Sequence, residues 1–249
     1  MKQRFCLKIE YDGTNYCGWQ RQVDKPTIQA IIEDSLKPLN GERPVTVIGA
    51  GRTDSGVHAR EQVAHFDLET QLASATIARA LNATLPPDIR IRECQQVADN
   101  FHARFDAIRR CYKYQILTQP SVFERHFAWY PAYQFDEELL QSCADLLLGE
   151  HDFTRLCKAS AESTNKICYI YASYWEKTSN KLVYTITANR FLHSMVRMLV
   201  GSMTEVSRHK YPLTAFKNLL GKNGDTMQVY TAPAKGLILW AVEYKENTL

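Results

Sequence analysis

The sequence of 249 residues lacks the patterns of a metal site and of a disulfide framework. Its seven cysteines are odd in number and include no C-x-x-C pair, which is typical of reduced thiols. Its seven histidines form neither an H-E-x-x-H motif nor a cluster with the cysteines. The sequence therefore predicts a protein without disulfides and without a bound metal.

Long hydrophobic runs are also absent. No apolar run approaches the length of about 18 residues that a membrane-spanning helix needs. Residues 1–10 alternate polar with apolar side chains, whereas the core of a signal peptide is a continuous apolar segment. We therefore expect a cytoplasmic protein that does not enter a membrane.

The chain has little excess charge of either sign. Its net charge of +3 and pI near 8.4 permit nucleic-acid binding without requiring it, because a basic face can exist in a nearly neutral protein. One segment does interleave basic with aromatic side chains: Arg104, Arg109, Arg110 and Lys113 with Phe101, Phe105, Tyr112 and Tyr114. Such a segment offers phosphate contacts beside stacking surfaces, and an edge strand protected by its charges is the alternative.

The chain also lacks an internal repeat and a linker rich in Pro, Gly and Ser. Hydrophobic periodicity predicts strand, helix, strand, strand, helix and strand before residue 105, including a strand at residues 45–48. A second series follows, with a long helix at residues 191–206 and a closing strand. This order differs from the βα alternation of a parallel sheet. We predict an α+β protein with an antiparallel sheet, in which two ferredoxin-like halves, residues 1–105 and 106–249, pack around a central catalytic cleft.

A glycine-rich turn at residues 49–59 is the most informative local feature. Three glycines within eight residues allow positive φ angles and a close approach of the backbone to a ligand. Asp54 and Arg52 place a carboxylate and a guanidinium in this turn, between two strand-like segments. Taken alone, Asp54 is either a simple turn former or a catalytic carboxylate.

Five segments together resemble the tRNA pseudouridine synthase A family. They are YDGTNYCGWQRQ at 11–22, GRTDSGVHA at 51–59, FHARF at 101–105, RCYKY at 110–114 and FLHSMVRMLVG at 191–201. The resemblance covers nearly the whole chain in order. It implies that Asp54 is the essential nucleophile, that Tyr112 is the active-site tyrosine and that Arg197 is the active-site arginine.

The resemblance also implies the substrate and its contacts. We expect a tRNA partner, modification of uridines 38, 39 and 40 in the anticodon stem-loop, a homodimer and no cofactor. Tyr112 offers a ring on which an extruded uracil stacks. Arg52 would fill the gap left by the flipped base or hold its phosphate. The remaining expected RNA contacts are Arg21, Gln22, Phe101, His102, Arg104 and Phe105.

Two other functions stay open at this point. A synthase with another RNA target would carry the same residues, because target choice depends on loop shape and backbone charge. A non-catalytic RNA-binding module of the same fold is the second alternative. It is disfavoured because plain binding does not need Asp54, Tyr112 and Arg197 together.

Overall fold

The computed structural model describes residues 2–158, 164–221 and 227–246. The chain divides into two compact units. Unit 1 contains residues 1–108 and 239–249, and unit 2 contains residues 109–238. Over the described part of the chain, no helix is both long and apolar enough to cross a membrane.

Unit 1 consists of an antiparallel sheet with two helices. Its elements are β1 Lys2–Tyr11, α1 Ile28–Leu36, β2 Ile48–Gly49, β3 His58–Glu69, α2 Ser74–Thr84 and β4 Ile89–Val97. The last strand, β9 Leu237–Tyr244, contributes its residues from 239 onward to this unit. The strand order is β4-β1-β3-β9, and β2 pairs with β3. The pairs of β1 with β3, β1 with β4 and β2 with β3 are antiparallel.

The helices of unit 1 begin and pack as their sequences indicate. The side chain of Thr27 caps α1 by accepting a hydrogen bond from the Ala30 amide. Ile28, Ile32 and Leu36 are fully buried because they recur on one face of the helix. Full burial of each such side chain contributes about 1.5–3 kcal/mol to folding. These residues therefore fix α1 in the unit, and with it the loop that precedes the helix.

Unit 2 has the same α+β character. Its elements are β5 Ala107–Leu117, α3 Glu137–Asp145, β6 Gly149–Asp152, β7 Ile167–Lys177, β8 Lys181–Ala188, α4 Met195–Ser207 and α5 Leu213–Lys217. The strand order is β5-β8-β7-β6, and these three neighbouring pairs are antiparallel. Helix α3 packs against α4 and against β7. Short 3-10 turns in the two units are Pro38–Asn40, Thr154–Leu156, Asn218–Leu220 and Ala234–Gly236.

The predicted α+β class with an antiparallel sheet is confirmed, while two local predictions need correction. Residues 45–47 do not form the expected strand, because side chains of α1 bind the backbone of Val47: its amide donates to Glu33 and its carbonyl accepts from Gln29. The predicted helix at 191–206 begins only at Met195, because Ser194 has a left-handed φ of 60°. The polar strand β6 was not predicted.

Candidate active site

The Asp54 turn lies in unit 1 and connects β2 to β3. The backbone carbonyl of Asp54 accepts a hydrogen bond from the Val57 amide at 3.1 Å, which closes the turn. The Asp54 side chain is half-buried, whereas Arg52 is exposed. The turn therefore presents a carboxylate from a fixed backbone, and Arg52 lies two residues away.

The residue before Asp54 is anchored from two directions. The Thr53 carbonyl accepts a hydrogen bond from the Trp19 amide at 3.1 Å. The Thr53 hydroxyl forms a buried 2.8 Å hydrogen bond with the Tyr11 hydroxyl. Gln62, which is fully buried, donates to the Gly51 carbonyl at 2.9 Å. Contacts from residues 11–22 and from β3 thus hold the turn.

Residues 11–22 pack directly on this turn. Gly18 has a φ of +88°, and a Cβ atom there would lie 2.6 Å from the Thr53 carbonyl oxygen. No side chain fits at that distance, and the left-handed φ also favours glycine. The Gly56 amide and the Ser55 hydroxyl both donate to the Tyr16 carbonyl, each at 3.2 Å. The close approach of the two segments requires glycine at position 18.

Arg21 and Gln22, which we expect to contact RNA, end this segment. The guanidinium of Arg21 binds Glu33 at 2.6 Å and Asp34 at 3.1 Å, while its side chain is 46% exposed. The side chain of Gln22 donates to the Cys17 carbonyl. Arg21 is therefore tied to helix α1, and any phosphate contact that it makes competes with these two carboxylates.

The segment Phe101–Phe105 also lies in unit 1. Phe101 is buried, and its ring packs against that of Tyr244 in a tilted arrangement with centroids 5.4 Å apart. In contrast, Phe105 is 75% exposed, and its ring lies 4.3 Å from that of His102. Arg104 is also exposed. Phe101 thus anchors the segment in the core, while Arg104 and Phe105 expose a basic and an aromatic side chain at its other end.

His65 supports this segment from β3. Its Nδ1 atom accepts a hydrogen bond from the Ala103 amide at 3.1 Å, and its side chain is buried. Burial, together with the positive charge of Arg4, lowers the pKa of His65 from 6.5 to about 4. The imidazole is therefore neutral at pH 7, as its role as an acceptor requires.

This arrangement predicts a specific loss of stability in acid. Because the pKa of His65 is lower in the folded state than in the unfolded chain, the unfolded state binds the proton first as the pH falls. The free energy of unfolding should decrease by up to about 1.4 kcal/mol per pH unit between about pH 6.5 and 4. Asp67, with a pKa lowered to about 2 by its bond to Arg4, stays ionised in this window.

Urea unfolding from about pH 7 to about pH 4.5 checks this prediction. His65→Gln keeps an acceptor for Ala103 but removes the titration, so the stability difference between variant and wild type should shrink or reverse in acid. A difference that does not depend on pH would contradict the assignment.

Tyr112 and Arg197 lie in unit 2. Tyr112 is on β5, opposite Ile186 of β8, and is 7% exposed. The rings of Tyr112 and Phe191 form a T-shaped contact, with centroids 5.0 Å apart and an interplanar angle of 88°. The contact with Phe191 thus restricts the orientation of the Tyr112 ring.

Arg197 lies in the first turn of α4 and is half-buried. Its Nε atom donates to the Ala232 carbonyl at 2.9 Å, and the Ala232 amide donates back to the Arg197 carbonyl at 3.0 Å. Burial raises the pKa of Tyr114 well above its ordinary value, and the charge of Arg197 opposes that shift. The Tyr114 hydroxyl donates to the Pro233 carbonyl at 2.8 Å, so Arg197 and Tyr114 bind the carbonyls of two consecutive residues.

Several residues that shape these sites were not predicted as site residues. Tyr114 could have been found from its spacing, since it lies two positions after Tyr112 and so shares its face of β5. The hydrogen bonds of Thr53 with Tyr11 and of Gly51 with Gln62 have no local sequence signal, because each joins residues distant along the chain. No group of three or more His, Cys, Asp or Glu side chains suited to a metal occurs in the ranges that the structure describes.

Comparison with known proteins gives a consistent result. The family profile described as tRNA pseudouridine synthase matches residues 8–106 and 143–245. The tRNA pseudouridine synthase A of Exiguobacterium sibiricum is 37% identical over 98% of both chains. That of Chlorobium chlorochromatii is 40% identical over 96% of this chain and 98% of its own. The resemblance found in the five sequence segments is thereby confirmed, and this chain belongs to the tRNA pseudouridine synthase family of isomerases.

Proposed function

We propose that this protein converts uridine to pseudouridine at positions 38, 39 and 40 of the tRNA anticodon stem-loop. The observation that carries the proposal is the Asp54 turn, whose backbone is held by Trp19 and Gln62 and whose Thr53 side chain is held by Tyr11. A plain RNA-binding module has no need of a carboxylate fixed in this way. The family relationship supports a tRNA substrate, and the specific uridines follow from the sequence resemblance.

The reaction is an isomerisation that needs no redox cofactor. The bond between N1 of uracil and C1′ of ribose breaks, the base turns, and a new bond forms between C5 and C1′. The proton on C5 leaves and N1 gains one, so atoms and electrons balance. Asp54 acts as the nucleophile in this sequence. Attack at C1′, attack at C6 and assistance in the loss of the 2′ proton are all compatible with its position in the turn.

Tyr112 supplies a flat ring and a hydroxyl to the same reaction. An extruded uracil stacks on the ring, and the hydroxyl takes or relays the C5 proton late in the sequence. The contact with Phe191 supports this role because it restricts the orientation of the ring. Arg197 supplies positive charge for the negative groups of the site, and its bond to Ala232 fixes the guanidinium.

The RNA is held by exposed groups on either side of the reacting base. Arg52, in the same turn as Asp54, fills the space of the flipped base or binds its phosphate. Arg104 and Phe105 are suited to a phosphate contact and a stacking contact, because both side chains are exposed. Arg21, Gln22, Phe101 and His102 complete the expected surface. We also propose a homodimer in the cytoplasm, in keeping with a tRNA substrate.

Tritium release tests the proposed function directly. Unmodified tRNA carrying tritium at uridine C5 is incubated with the protein without any added cofactor. Release is expected, and mapping of pseudouridine in the product should place it at positions 38, 39 and 40. Release confined to other RNA positions would favour a synthase with another target. Absence of release from any RNA would favour the binding module.

Replacing Tyr112 with phenylalanine separates stacking from proton transfer. The variant keeps the ring, so it should bind tRNA within about threefold of wild type. It should lose about 10²–10⁴-fold in product formation, because the hydroxyl no longer assists removal of the C5 proton. Rapid quenching should reveal an accumulated intermediate.

Tyr184→Phe is the matched control for this variant. Tyr184 is a buried tyrosine of β8 whose hydroxyl binds Ser173 at 2.8 Å, and its loss should affect stability alone. Full activity of Tyr112→Phe would leave only the stacking role.

A further inference from the structure

Unit 1 contains a basic groove that lies outside the segments of the candidate active site. Helix α2 and strand β4 line this open groove, which has a volume of about 600 Å³ and which we name the α2–β4 groove. The helix contributes Ala78, Arg79, Asn82 and Ala83, and the strand contributes residues 90–92. The lining is a continuous surface, because the helix residues share one face.

Charge distinguishes this groove. Arg79, Arg90 and Arg92 line it, and no acidic residue does. All three are exposed. Arg92 lies 3.5 Å from a carboxylate oxygen of Glu10. Within the ranges that the structure describes, neither Arg79 nor Arg90 has a carboxylate partner. Glu10 lies opposite Arg90 in the pairing of β1 with β4, so one carboxylate offsets part of the charge of the three arginines, and the groove keeps a net positive charge.

Protection of a sheet edge does not explain these arginines. Strand β4 is an edge of the sheet, and edge strands often carry basic side chains that prevent pairing with another chain. Here the Asn82 side chain already covers the edge at Ile91: it accepts from the Ile91 amide at 2.9 Å and donates to the Ile91 carbonyl at 2.8 Å. The backbone groups between Arg90 and Arg92 are thus satisfied, and the strand is closed to an added strand at this point.

The shape of the groove favours an extended polyanion. The side chains of Ala78 and Ala83 are small and leave space along the helix. A polymer that lies along the groove can therefore reach the guanidinium groups. The groove is open to solvent and its lining is polar and apolar in about equal parts, unlike the enclosed and mainly apolar pockets that bind small molecules. Guanidinium groups bind phosphate through paired hydrogen bonds, which suits the backbone of a nucleic acid.

The groove lies at the same end of the sheet as the Asp54 turn. Tyr11 of β1 lies opposite Ile89 of β4 on one side and opposite Ala59 of β3 on the other. Neighbouring strands are about 4.8 Å apart, so β4 is only about 10 Å from the strand that follows the turn. An RNA whose uridine reaches Asp54 can therefore extend its backbone to this groove.

We propose that the α2–β4 groove is a second RNA-binding surface, in which Arg79 and Arg90 hold phosphates of the substrate tRNA outside the reacting nucleotide. The identity of the RNA rests on the proposed function. The groove does not take part in the chemistry, and its contribution is equal before and during the reaction. Its loss should raise KM and leave kcat unchanged, because such contacts bind substrate and transition state equally.

The test compares two double variants of the full-length protein. Arg79→Gln combined with Arg90→Gln removes two of the three guanidinium groups of the groove. Lys2→Gln combined with Arg43→Gln removes two exposed charges at the other end of unit 1, where they pair with Asp67 and Glu69. The Kd for unmodified tRNA is measured over a series of salt concentrations, together with kcat and KM.

The groove variant should raise the Kd about tenfold and reduce the slope of log Kd against log salt by about 2, since each phosphate contact contributes about one unit. The control variant should stay within about twofold of wild type. The proposal is overturned if the groove variant keeps the wild-type slope, or if both variants lose affinity equally. Binding is measured independently of turnover, so absence of pseudouridine would refute the proposed function while the binding data still decide the role of the groove.

Discussion

Replacing Asp54 with asparagine should reduce pseudouridine formation by at least about 10⁴-fold. The amide has nearly the shape of the carboxylate but cannot act as a nucleophile. The turn itself should persist, because the hydrogen bonds that hold it do not involve the side chain of residue 54. They are the backbone bonds with Val57 and Trp19 and the bond of the Thr53 side chain with Tyr11. The expected result is a folded protein that binds tRNA with nearly wild-type affinity and does not turn it over.

Tritium release and tRNA binding, measured side by side, check this result. Asp24→Asn is the matched control, since it makes the same chemical change at an exposed loop position of the same unit. Residual activity of the Asp54 variant above about one hundredth of wild type would show that another group attacks the substrate. Loss of both binding and activity would instead indicate a structural role for the carboxylate.

Replacing Arg197 with methionine should also cause a large loss of turnover. Methionine fills a similar volume in the first turn of α4, where the neighbouring Met195 and Val196 are buried, so the helix should remain packed. The guanidinium charge near Tyr114 disappears. We expect a loss in kcat of about 10²–10³-fold, the effect typical of removing one charge-stabilising donor, with tRNA binding largely intact.

Single-turnover rates at saturating protein measure this effect without interference from binding. Arg208→Met is the control, because Arg208 lies at the other end of the same helix, where it stacks on Tyr133 and pairs with Glu205. Equal activity of Arg197→Met and wild type would exclude a role for Arg197 in turnover. A similar loss in both variants would point to a general effect on α4.

The sequence predicts the regular strands well where side-chain alternation and pairing agree. The sequence predicts strands at residues 89–97 and 237–244, and these are the bounds of β4, Ile89–Val97, and of β9, Leu237–Tyr244. Residues 45–47 have the same apolar character, yet side chains from α1 bind the backbone of Val47. That outcome depends on where α1 lies in three dimensions, and local sequence does not contain it. Strand β6 differs from residues 45–47 in the opposite sense: its polar sequence GEHD does not predict a strand, and it forms one because β7 pairs with it.

In the candidate site, too, some features are visible in the local sequence and others depend on contacts between distant residues. The motifs supply the candidate residues for the chemistry, because carboxylate, phenol and guanidinium groups are visible in the sequence. The groups that position them come from remote parts of the chain, as Gln62 does for Gly51 and Phe191 does for Tyr112. Arg21 illustrates the limit: its position beside aromatic residues suggests RNA, while Glu33 and Asp34 already bind it. The balance of the two interactions cannot be read from spacing.

The glycine at position 18 has a wider consequence for how the site opens. Because Gly18 touches the Thr53 carbonyl and Tyr16 binds both Ser55 and Gly56, neither residues 11–22 nor the Asp54 turn can move without breaking contacts to the other. The two segments form one cooperative unit of local unfolding. Thermal fluctuations therefore break the contacts around the Asp54 carboxylate together, and forms in which only one of the two segments is ordered are disfavoured.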